Sequence, residues 1–321
     1  MIRNYLPQDG AALLRLWNSA GVSMGYAPLE EKKFRELLLE HPDFSPEFTF
    51  VLEEEGKAVG FVNGCTGDHI PRGDVRGYVS CLLLSEDYDT QENTAALLSA
   101  LEDAFRRAGR SCSAVTFFNP IRLPWILPGT PGHQHNNAPG IARDLPLYGR
   151  MLDLGYREAA GEMAMHLDLA QYETPAWVEK KAEKMAQEGY TVAPYDPKKH
   201  HGLREMLEAL ENPMWISEIT MAGETGMELL VGLCGDTVAG FTGPIYPEAT
   251  GRGYFAGIGV APQFERHGLG SLLFYRLCRQ EKAAGAKYMS LFTGEENPAQ
   301  KIYLGAGFTI VRRFGVMLKE I

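Results

Sequence analysis

The residues with the clearest chemical potential are two glycines that precede an apolar helical run. In the stretch 261–274, which reads APQFERHGLGSLLF, Gly268 and Gly270 are followed by Ser271 and then by leucines at helical spacing. The first turn of a helix presents N–H groups without internal partners, and its dipole attracts anions. Glycines at that point let a ligand approach the main chain closely. The pattern predicts a main-chain cradle for phosphate or pyrophosphate, or a turn that only begins a helix.

Neither of two common nucleotide motifs fits this stretch. A Walker loop requires a Lys after its last glycine, where Ser271 stands, and the dinucleotide motif requires a third glycine, where Leu273 stands. A short apolar strand predicted over 254–260 and ended by Pro262 precedes the loop. We therefore expect a different anionic cofactor, whose pyrophosphate lies on the loop and whose remainder follows the strand.

The composition is that of an acidic globular protein. Its 321 residues are 45% hydrophobic and carry a formal net charge of −10, without a long block of Lys and Arg. Because nucleic-acid backbones bind basic surfaces, we expect no nucleic-acid partner. The five cysteines form no C-x-x-C pair, which is typical of reduced thiols in the cytoplasm. No stretch resembles a signal peptide or a membrane span, so we predict a cytoplasmic protein without a membrane partner.

One order of predicted strands and helices occurs twice along the chain. Each copy contains a predicted hairpin, over 48–64 and over 227–245. The strand and helix that follow align without a gap, with Leu84 opposite Val260. A segment rich in Lys and Glu between the copies reads as a solvated connector. We predict three parts: a first domain over 1–170, a connector helix over 171–190 and a second domain over 191–321.

The same alignment separates the two halves chemically. Gly268 and Gly270 of the second copy lie opposite Glu92 and Thr94 of the first, and Asp87 stands nearby. Carboxylates repel phosphate, so we assign cofactor binding to the second half only. The first half retains the scaffold and lacks the site.

The first copy also carries a long proline-rich insertion over 119–144. Loops of that length in a compact domain are usually functional or disordered. His133 and His135 have the spacing of a metal-binding pair, but no third ligand stands at a fixed spacing, so we predict no metal site. We interpret the insertion as a mobile polar lid over the acceptor pocket.

Two strings in the second half resemble the acetyl-CoA-binding core of the GNAT superfamily of N-acetyltransferases. They are VAPQFERHGLGSLL and, further on, ENPAQKIYLGAGF, in which we expect a short helix over 298–303 with Asn297 as its N-cap. The resemblance implies an α/β fold of two tandem GNAT-like domains, each a mixed, mostly antiparallel twisted sheet flanked by helices. It also implies acetyl-CoA as the co-substrate.

Carried over residue by residue, the resemblance assigns roles in the second half. The main chain of the loop would hold the pyrophosphate, and the strand before it would pair with the pantetheine arm. Tyr303 would protonate the departing thiolate as general acid. The cofactor-binding residues are then Ile258, Gly259, Val260, Arg266, His267, Gly268, Leu269, Gly270, Ser271 and Asn297.

Two departures from the family pattern concern the loop, and two concern the first half. Glu265 stands where the family usually has Arg or Gln, and Arg266 stands where it often has glycine. In the first copy Met151 occupies the place of Tyr303, and Leu145 that of Asn297. The first copy therefore departs from the family at the positions that would carry its chemistry.

The resemblance favours an acetyl-CoA-dependent N-acetyltransferase in which a primary amine of a small molecule or peptide attacks the thioester directly. The first domain would shape the acceptor site. The sequence does not identify the general base, for which Glu218, Glu248, Glu295 and a water chain are the candidates. Alternatives are a non-catalytic acyl-CoA-binding sensor or scaffold protein and a hydroxyl acceptor. The sequence predicts neither the acceptor nor the oligomeric state.

Overall fold

The structure is a computed structural model that describes residues 1–67 and 76–321. Within those ranges, no helix combines the length and the apolar character needed to cross a membrane. The strands are β1 (Ile2–Asn4), β2 (Thr49–Glu54), β3 (Lys57–Cys65), β4 (Arg76–Leu84), β5 (Cys112–Val115), β6 (Ile141–Ala142), β7 (Arg157–Asp168), β8 (Tyr190–Pro194), β9 (Leu230–Cys234), β10 (Thr237–Thr242), β11 (Arg252–Gly253), β12 (Ile258–Val260), β13 (Tyr288–Gly294) and β14 (Thr309–Glu320).

Helices lie on both sides of these strands. The α-helices are α1 (Gly10–Leu16), α2 (Val22–Met24), α3 (Glu31–Phe34), α4 (Gln91–Arg107), α5 (Pro146–Asp153), α6 (Ala176–Gln187), α7 (Leu203–Ala209), α8 (Pro213–Thr225), α9 (Leu269–Ala283) and α10 (Gln300–Gly305). Short 3-10 or π turns adjoin several of them. The mixed α/β fold predicted from the sequence is confirmed.

Both predicted hairpins form, and they begin equivalent sheets. β2 and β3 are joined by Glu55 and Gly56, whose φ angles of 48° and 75° suit a tight hairpin turn. β9 and β10 are joined by Gly235 and Asp236. In the first half the strands follow the order β1-β2-β3-β4-β5, and in the second a four-stranded sheet follows the order β12-β10-β9-β8.

The two halves exchange their last strands, which the sequence reasoning did not anticipate. β14, from the second half, lies between β5 and β7 of the first half. β7 in turn pairs antiparallel with β13 of the second half, from Tyr288 opposite Asp168 to Gly294 opposite Glu162. The large sheet therefore runs through both halves, and neither half has a complete sheet without a strand from the other.

The 119–144 insertion is packed across this exchange. Trp125 is 2% exposed, and its ring lies 5.1 Å from that of Phe314 on β14. The His135 ring lies 4.6 Å from Phe292 on β13, and its Nε2 is 3.5 Å from the Ser290 hydroxyl. The prediction of a mobile polar lid is wrong for this part, because apolar anchors bury it against the shared sheet.

Candidate functional site

The glycine loop of the second half leads directly into a helix, as the sequence predicts. α9 begins at Leu269 after Gly268, whose φ of 83° is left-handed and which has no side chain to cap the helix. Arg266 also has a left-handed φ, of 67°. That conformation suits glycine far better than a residue with a Cβ atom, which explains why glycine is frequent at this place in the family pattern. The first N–H groups of α9 are thus exposed to a ligand rather than to a capping side chain.

A lysine from the connector lies against this loop. A Cβ atom built on Gly268 would lie 2.4 Å from both Cε and Nζ of Lys181 on α6, so the end of that side chain lies directly against the glycine. Among the described residues, no carboxylate lies within 4.0 Å of the Lys181 ammonium, which sits 5.6 Å from the Trp177 ring centroid. Partial burial lowers the pKa of Lys181. A cation without a counter-ion therefore adjoins the predicted anion cradle.

Sequence reasoning missed Lys181 because it treated the connector as solvated. That interpretation is wrong for one face of α6, where Val178 is 0% exposed and Met185 is 2% exposed. Their spacing with Lys181, of three and four residues, places all three on one side of a helix. This helical spacing of apolar residues is the feature of the sequence that could have predicted a buried face on α6.

Two further loop residues, His267 and Gly270, face different parts of the second half. The His267 ring stacks on Tyr190 of β8, with centroids 4.5 Å apart and planes at 26°. A Cβ atom on Gly270 would lie 3.7 Å from Val260 and 3.9 Å from Ile302, which is ordinary contact. Gly270 therefore faces the space between β12 and α10, and its main chain is open to that space.

The strand before the loop is an edge strand. β12 pairs with β10, so that Ile258, Gly259 and Val260 lie opposite Thr242, Phe241 and Gly240. In the described part of the chain no strand occupies the other edge of β12.

The chain also changes sheet just before this strand. β11 pairs with β13 in the large sheet, so the chain leaves one sheet and joins the other between residues 253 and 258. The strand predicted over 254–260 is therefore shorter than expected, and a cleft separates β12 from β13. An extended ligand fits such an open edge by main-chain pairing.

Tyr303 lies on α10 and packs between α9 and the segment that joins the two sheets. It is 5% exposed, its ring centroid is 4.8 Å from that of Phe274 on α9, and Phe255, in the segment between β11 and β12, lies at 6.2 Å. Burial raises the pKa of Tyr303 to about 12. The phenol therefore carries its proton throughout the neutral range, beside the point where the two sheets part.

Asn297 supports the turn that precedes α10. Its side-chain amide donates to the Thr293 hydroxyl at 3.0 Å, and its Oδ1 accepts from the N–H of Ala299 at 2.9 Å. The predicted helix over 298–303 is shifted, since α10 begins at Gln300 and its N-cap is Ala299. These two bonds hold the Asn297 side chain at the end of β13, and its contact with the cofactor stays a prediction.

The three carboxylates considered as bases have different surroundings. Glu295 accepts from Arg143 at 2.8 Å and pairs with Arg313, and these hydrogen bonds lower the pKa of Glu295. Such an ion-paired carboxylate is a poor base. The remaining candidates are Glu248 and Glu218.

Glu248 and Glu218 differ in what binds them. Glu248 lies between Arg252 at 3.3 Å and His133 Nδ1 at 3.2 Å. Glu218 accepts a 2.5 Å hydrogen bond from the hydroxyl of Tyr254, which adjoins Phe255. Glu218 lies on α8 rather than in a loop. It is therefore the carboxylate linked most directly to the segment where the sheets part.

The family comparison agrees with the position of these features. Residues 183–308 match the model of the acetyltransferase (GNAT) family. The second half of the chain is a GNAT domain. Members of this family typically take an acetyl group from acetyl-CoA, so acyltransferase chemistry follows for this half in general terms. No curated protein sequence matches the chain.

Solved structures extend the similarity of fold to the whole chain. A GCN5-related glucosamine N-acetyltransferase region of a fungal multi-domain β-N-acetylglucosaminidase has a TM-score of 0.66 at 17% identity over 99% of this chain, which spans 38% of that protein. A GCN5-related N-acetyltransferase from Sphaerobacter thermophilus has a TM-score of 0.60 at 16% identity over 100% of this chain and 95% of its own. A tandem GNAT protein from the clavulanic acid biosynthesis pathway has a TM-score of 0.56 at 17% identity, covering 100% and 98%. These similarities show the shared fold.

Proposed function

We propose that this protein is an acetyl-CoA-dependent N-acetyltransferase whose second domain, over 191–321, catalyses the transfer. The acceptor is a primary amine of a small molecule or peptide, which attacks the thioester directly. The observation that supports the proposal most is that the glycine loop, with Lys181 beside it, follows directly on β12, whose outer edge is unpaired in the described structure. The first domain, over 1–170, contributes β7 to the shared sheet and shapes the acceptor side.

The glycine loop, Lys181 and β12 suit coenzyme A in charge and shape. The main-chain N–H groups of residues 266–271 face the pyrophosphate, and the Lys181 ammonium adds a charge-assisted contact. The free edge of Ile258–Val260 pairs with the amide groups of the pantetheine arm. Asn297 holds the turn before α10 in place. Acetyl-CoA supplies an activated acyl group. The residues of this chain bind the two substrates, orient them and transfer protons.

In this proposal Tyr303 donates a proton to the leaving sulfur. Its pKa, raised to about 12 by burial, keeps the hydroxyl protonated at neutral pH, which is the state that an acid requires. The hydrophobic surroundings of Phe255, Phe274 and Phe308 limit water near the phenol. In this account the aromatic cluster positions the acid and excludes competing solvent.

Glu218 is the base we favour, acting through Tyr254. The incoming amine must lose a proton, and a carboxylate that already accepts from a tyrosine hydroxyl can receive a proton along that hydrogen bond. The negative charges of Glu218 and Glu248 also favour the binding of a cationic acceptor near these two residues. The chain itself has a net charge of −10, which attracts amines.

Substitution of Tyr303 tests the catalytic claim. We expect Tyr303→Phe to lower kcat by about 100-fold, within the range of general acid catalysis, and to leave the Kd for acetyl-CoA within about twofold. The measurement is thiol release across a panel of amines, paired with calorimetry of acetyl-CoA binding. Tyr288→Phe is the matched control, since Tyr288 is also buried and its hydroxyl has no hydrogen-bond partner in the described structure.

Three results would contradict the proposal in different ways. A kcat of the Tyr303→Phe variant near that of the wild type would remove Tyr303 from the mechanism. Binding of acetyl-CoA without thiol release for any amine would favour the alternative function, an acyl-CoA sensor or scaffold. Release with alcohols but not amines would instead identify a hydroxyl acceptor.

A further inference from the structure

A cavity of about 810 Å³ opens in the first half, beside the end of β4. It lies where the second half places its glycine loop and strand edge. Its lining combines hydroxyl, carboxylate and apolar side chains, namely Ser19, Ala20, Ser23, Met24, Leu82, Leu84, Ser85, Glu86, Asp87, Asp89, Leu145, Pro146 and Leu147.

The cavity exists because β4 and β5 part early. They pair in parallel only from Arg76 to Tyr78, and the rest of β4, up to Leu84, runs without β5 beside it. β3 covers the opposite edge of β4 along its length. A separate, smaller cavity is lined by Val79, Val115 and Met151 and shares Met24, Leu82 and Leu147 with the first. The inner cavity is small, at about 30 Å³, so the space that can hold a ligand in the first half is the cavity at the mouth.

The mouth of this cleft is acidic. Glu86 and Asp87 are exposed and have no ion pair within the described ranges, while Asp89 pairs with Arg150 at 3.1 Å. None of the residues that line the cavity is Lys, Arg or His. The equivalent mouth in the second half has Lys181 instead. A polyphosphate ligand is therefore repelled here, and a cation is attracted.

The walls behind the mouth are apolar. Met24, Leu82, Leu84 and Leu147 present hydrocarbon surface to the cavity. Burial of apolar ligand surface against such walls supplies affinity, and the carboxylates at the mouth select the charge of the ligand's end. The inner end has Met151 where the second half has Tyr303.

We propose that the first-half cleft is a binding site for an organic ammonium ion with an apolar body. The ammonium group lies between Glu86 and Asp87, and the apolar body extends along β4 toward Leu82 and Leu147. The site binds without chemistry, and it is independent of the acetyl transfer proposed for the second half.

Calorimetric titration with three eight-carbon probes tests the site on the full chain. Octylammonium, octanol and octanoate each have eight carbons in a linear chain, and their head groups are cationic, neutral and anionic. We expect octylammonium to bind at least tenfold more tightly than octanoate, with octanol between them. The double variant Glu86→Gln/Asp87→Asn weakens octylammonium binding at least fivefold. The double variant Glu54→Gln/Glu183→Gln removes two exposed carboxylates outside the cavity, and leaves the affinity within twofold.

Three outcomes would overturn the proposal. Equal affinity for octanoate and octylammonium would show that charge does not select the ligand. An unchanged affinity of the Glu86→Gln/Asp87→Asn variant would place the amine elsewhere, for example at the acceptor side of the second half. Displacement of octylammonium from the first-half cleft by acetyl-CoA would show that this cleft is a second coenzyme site. Each of these results is independent of whether Tyr303 catalyses transfer.

Discussion

The clefts of the two halves lie at equivalent places and present opposite charges to a ligand. In the first half β4 leaves β5 after Tyr78, and in the second half the chain leaves β13 after Gly253. At the first mouth stand Glu86 and Asp87, and at the second stands Lys181. In both halves a cleft forms where two neighbouring strands stop pairing. The charges of a few side chains at its mouth then determine which ions can bind.

Gly77 and Gly253 occupy equivalent positions in the two halves, and each is packed against a helix by a different side chain. Gly77 on β4 is closed in by the Phe105 ring of α4, 2.3 Å from where its Cβ atom would be, and Gly253 on β11 is approached by Glu281 of α9 at 2.9 Å. Both strands need glycine where a helix packs closely against them. The helical residue differs, with a phenyl ring in one half and a buried carboxyl group in the other.

The largest effect we expect from this comparison concerns Glu281. It is 0% exposed, both its oxygens lack hydrogen-bond partners in the described structure, and burial raises the pKa of Glu281 to about 8. Its folded-state pKa lies above the usual 4.5, so stability falls as the pH rises from about 4.5 to 8. We expect Glu281→Gln to be about 3 kcal/mol more stable than the wild type at pH 8.5 and about equal at pH 5.

Denaturant unfolding of both proteins at the two pH values measures this difference. Glu183→Gln, which removes an exposed carboxylate of α6, serves as the control and should follow the wild type at each pH. If the Glu281→Gln variant shows the same stability difference at pH 5 and pH 8.5, Glu281 ionises normally, and the contrast with Phe105 has no electrostatic consequence.

A smaller effect is expected from reversing the charge at the mouth of the second half. Lys181→Glu should raise the Kd for acetyl-CoA about 30-fold, equivalent to about 2 kcal/mol, because it replaces a charge-assisted contact with repulsion. Calorimetry at low and high salt measures it, and the wild type should lose more affinity with salt than the variant. Lys180→Glu, a neighbour on the same helix that is exposed, should change the Kd by less than threefold.

An unchanged affinity of the Lys181→Glu variant would remove Lys181 from the cofactor site. The difference between the two mouths would then lie in the main chain of the glycine loop alone.

The smallest effect concerns the backbone of that loop. Arg266 has a left-handed φ of 67°, so Arg266→Gly should stabilise the fold by about 0.5–1 kcal/mol. The Kd for acetyl-CoA should stay within about threefold, because main-chain groups provide the contacts. Thermal unfolding and calorimetry measure the two quantities. Glu265→Gly is the control, since Glu265 has a φ of −69° and should lose stability.

A Kd for the Arg266→Gly variant that rises more than tenfold would instead assign the anion contact to the Arg266 side chain.

Local chemistry made several features predictable from the sequence. The start of α9 after Gly268 follows from a glycine next to an apolar run, and the hairpin turns at Gly56 and Gly235 follow from glycine between strand-like segments. The acidic residues at the mouth of the first-half cleft were also predictable, because aligning the sequence of one half with that of the other is enough to find them. These features depend on residues that are neighbours in the chain.

Features that depend on distant partners were not predictable in this way. The exchange of β7 and β14 is set by pairing between segments far apart in the sequence, and no local pattern encodes it. Lys181 reaches the loop only because α6 packs with Val178 and Met185 inward. The bonds of Asn297 to Thr293 and Ala299, which place it at the end of β13, were likewise not visible in the motif from which its cofactor contact is predicted.

Hydrogen exchange with and without acetyl-CoA compares the two clefts in one experiment. If the second half alone holds the coenzyme, exchange slows for peptides that cover Ile258–Val260 and the loop 266–271, and does not change for peptides that cover Val79–Leu84 and the loop 85–90. Slower exchange at the first-half peptides, or no change at the loop 266–271, would contradict the assignment of the coenzyme to the glycine loop.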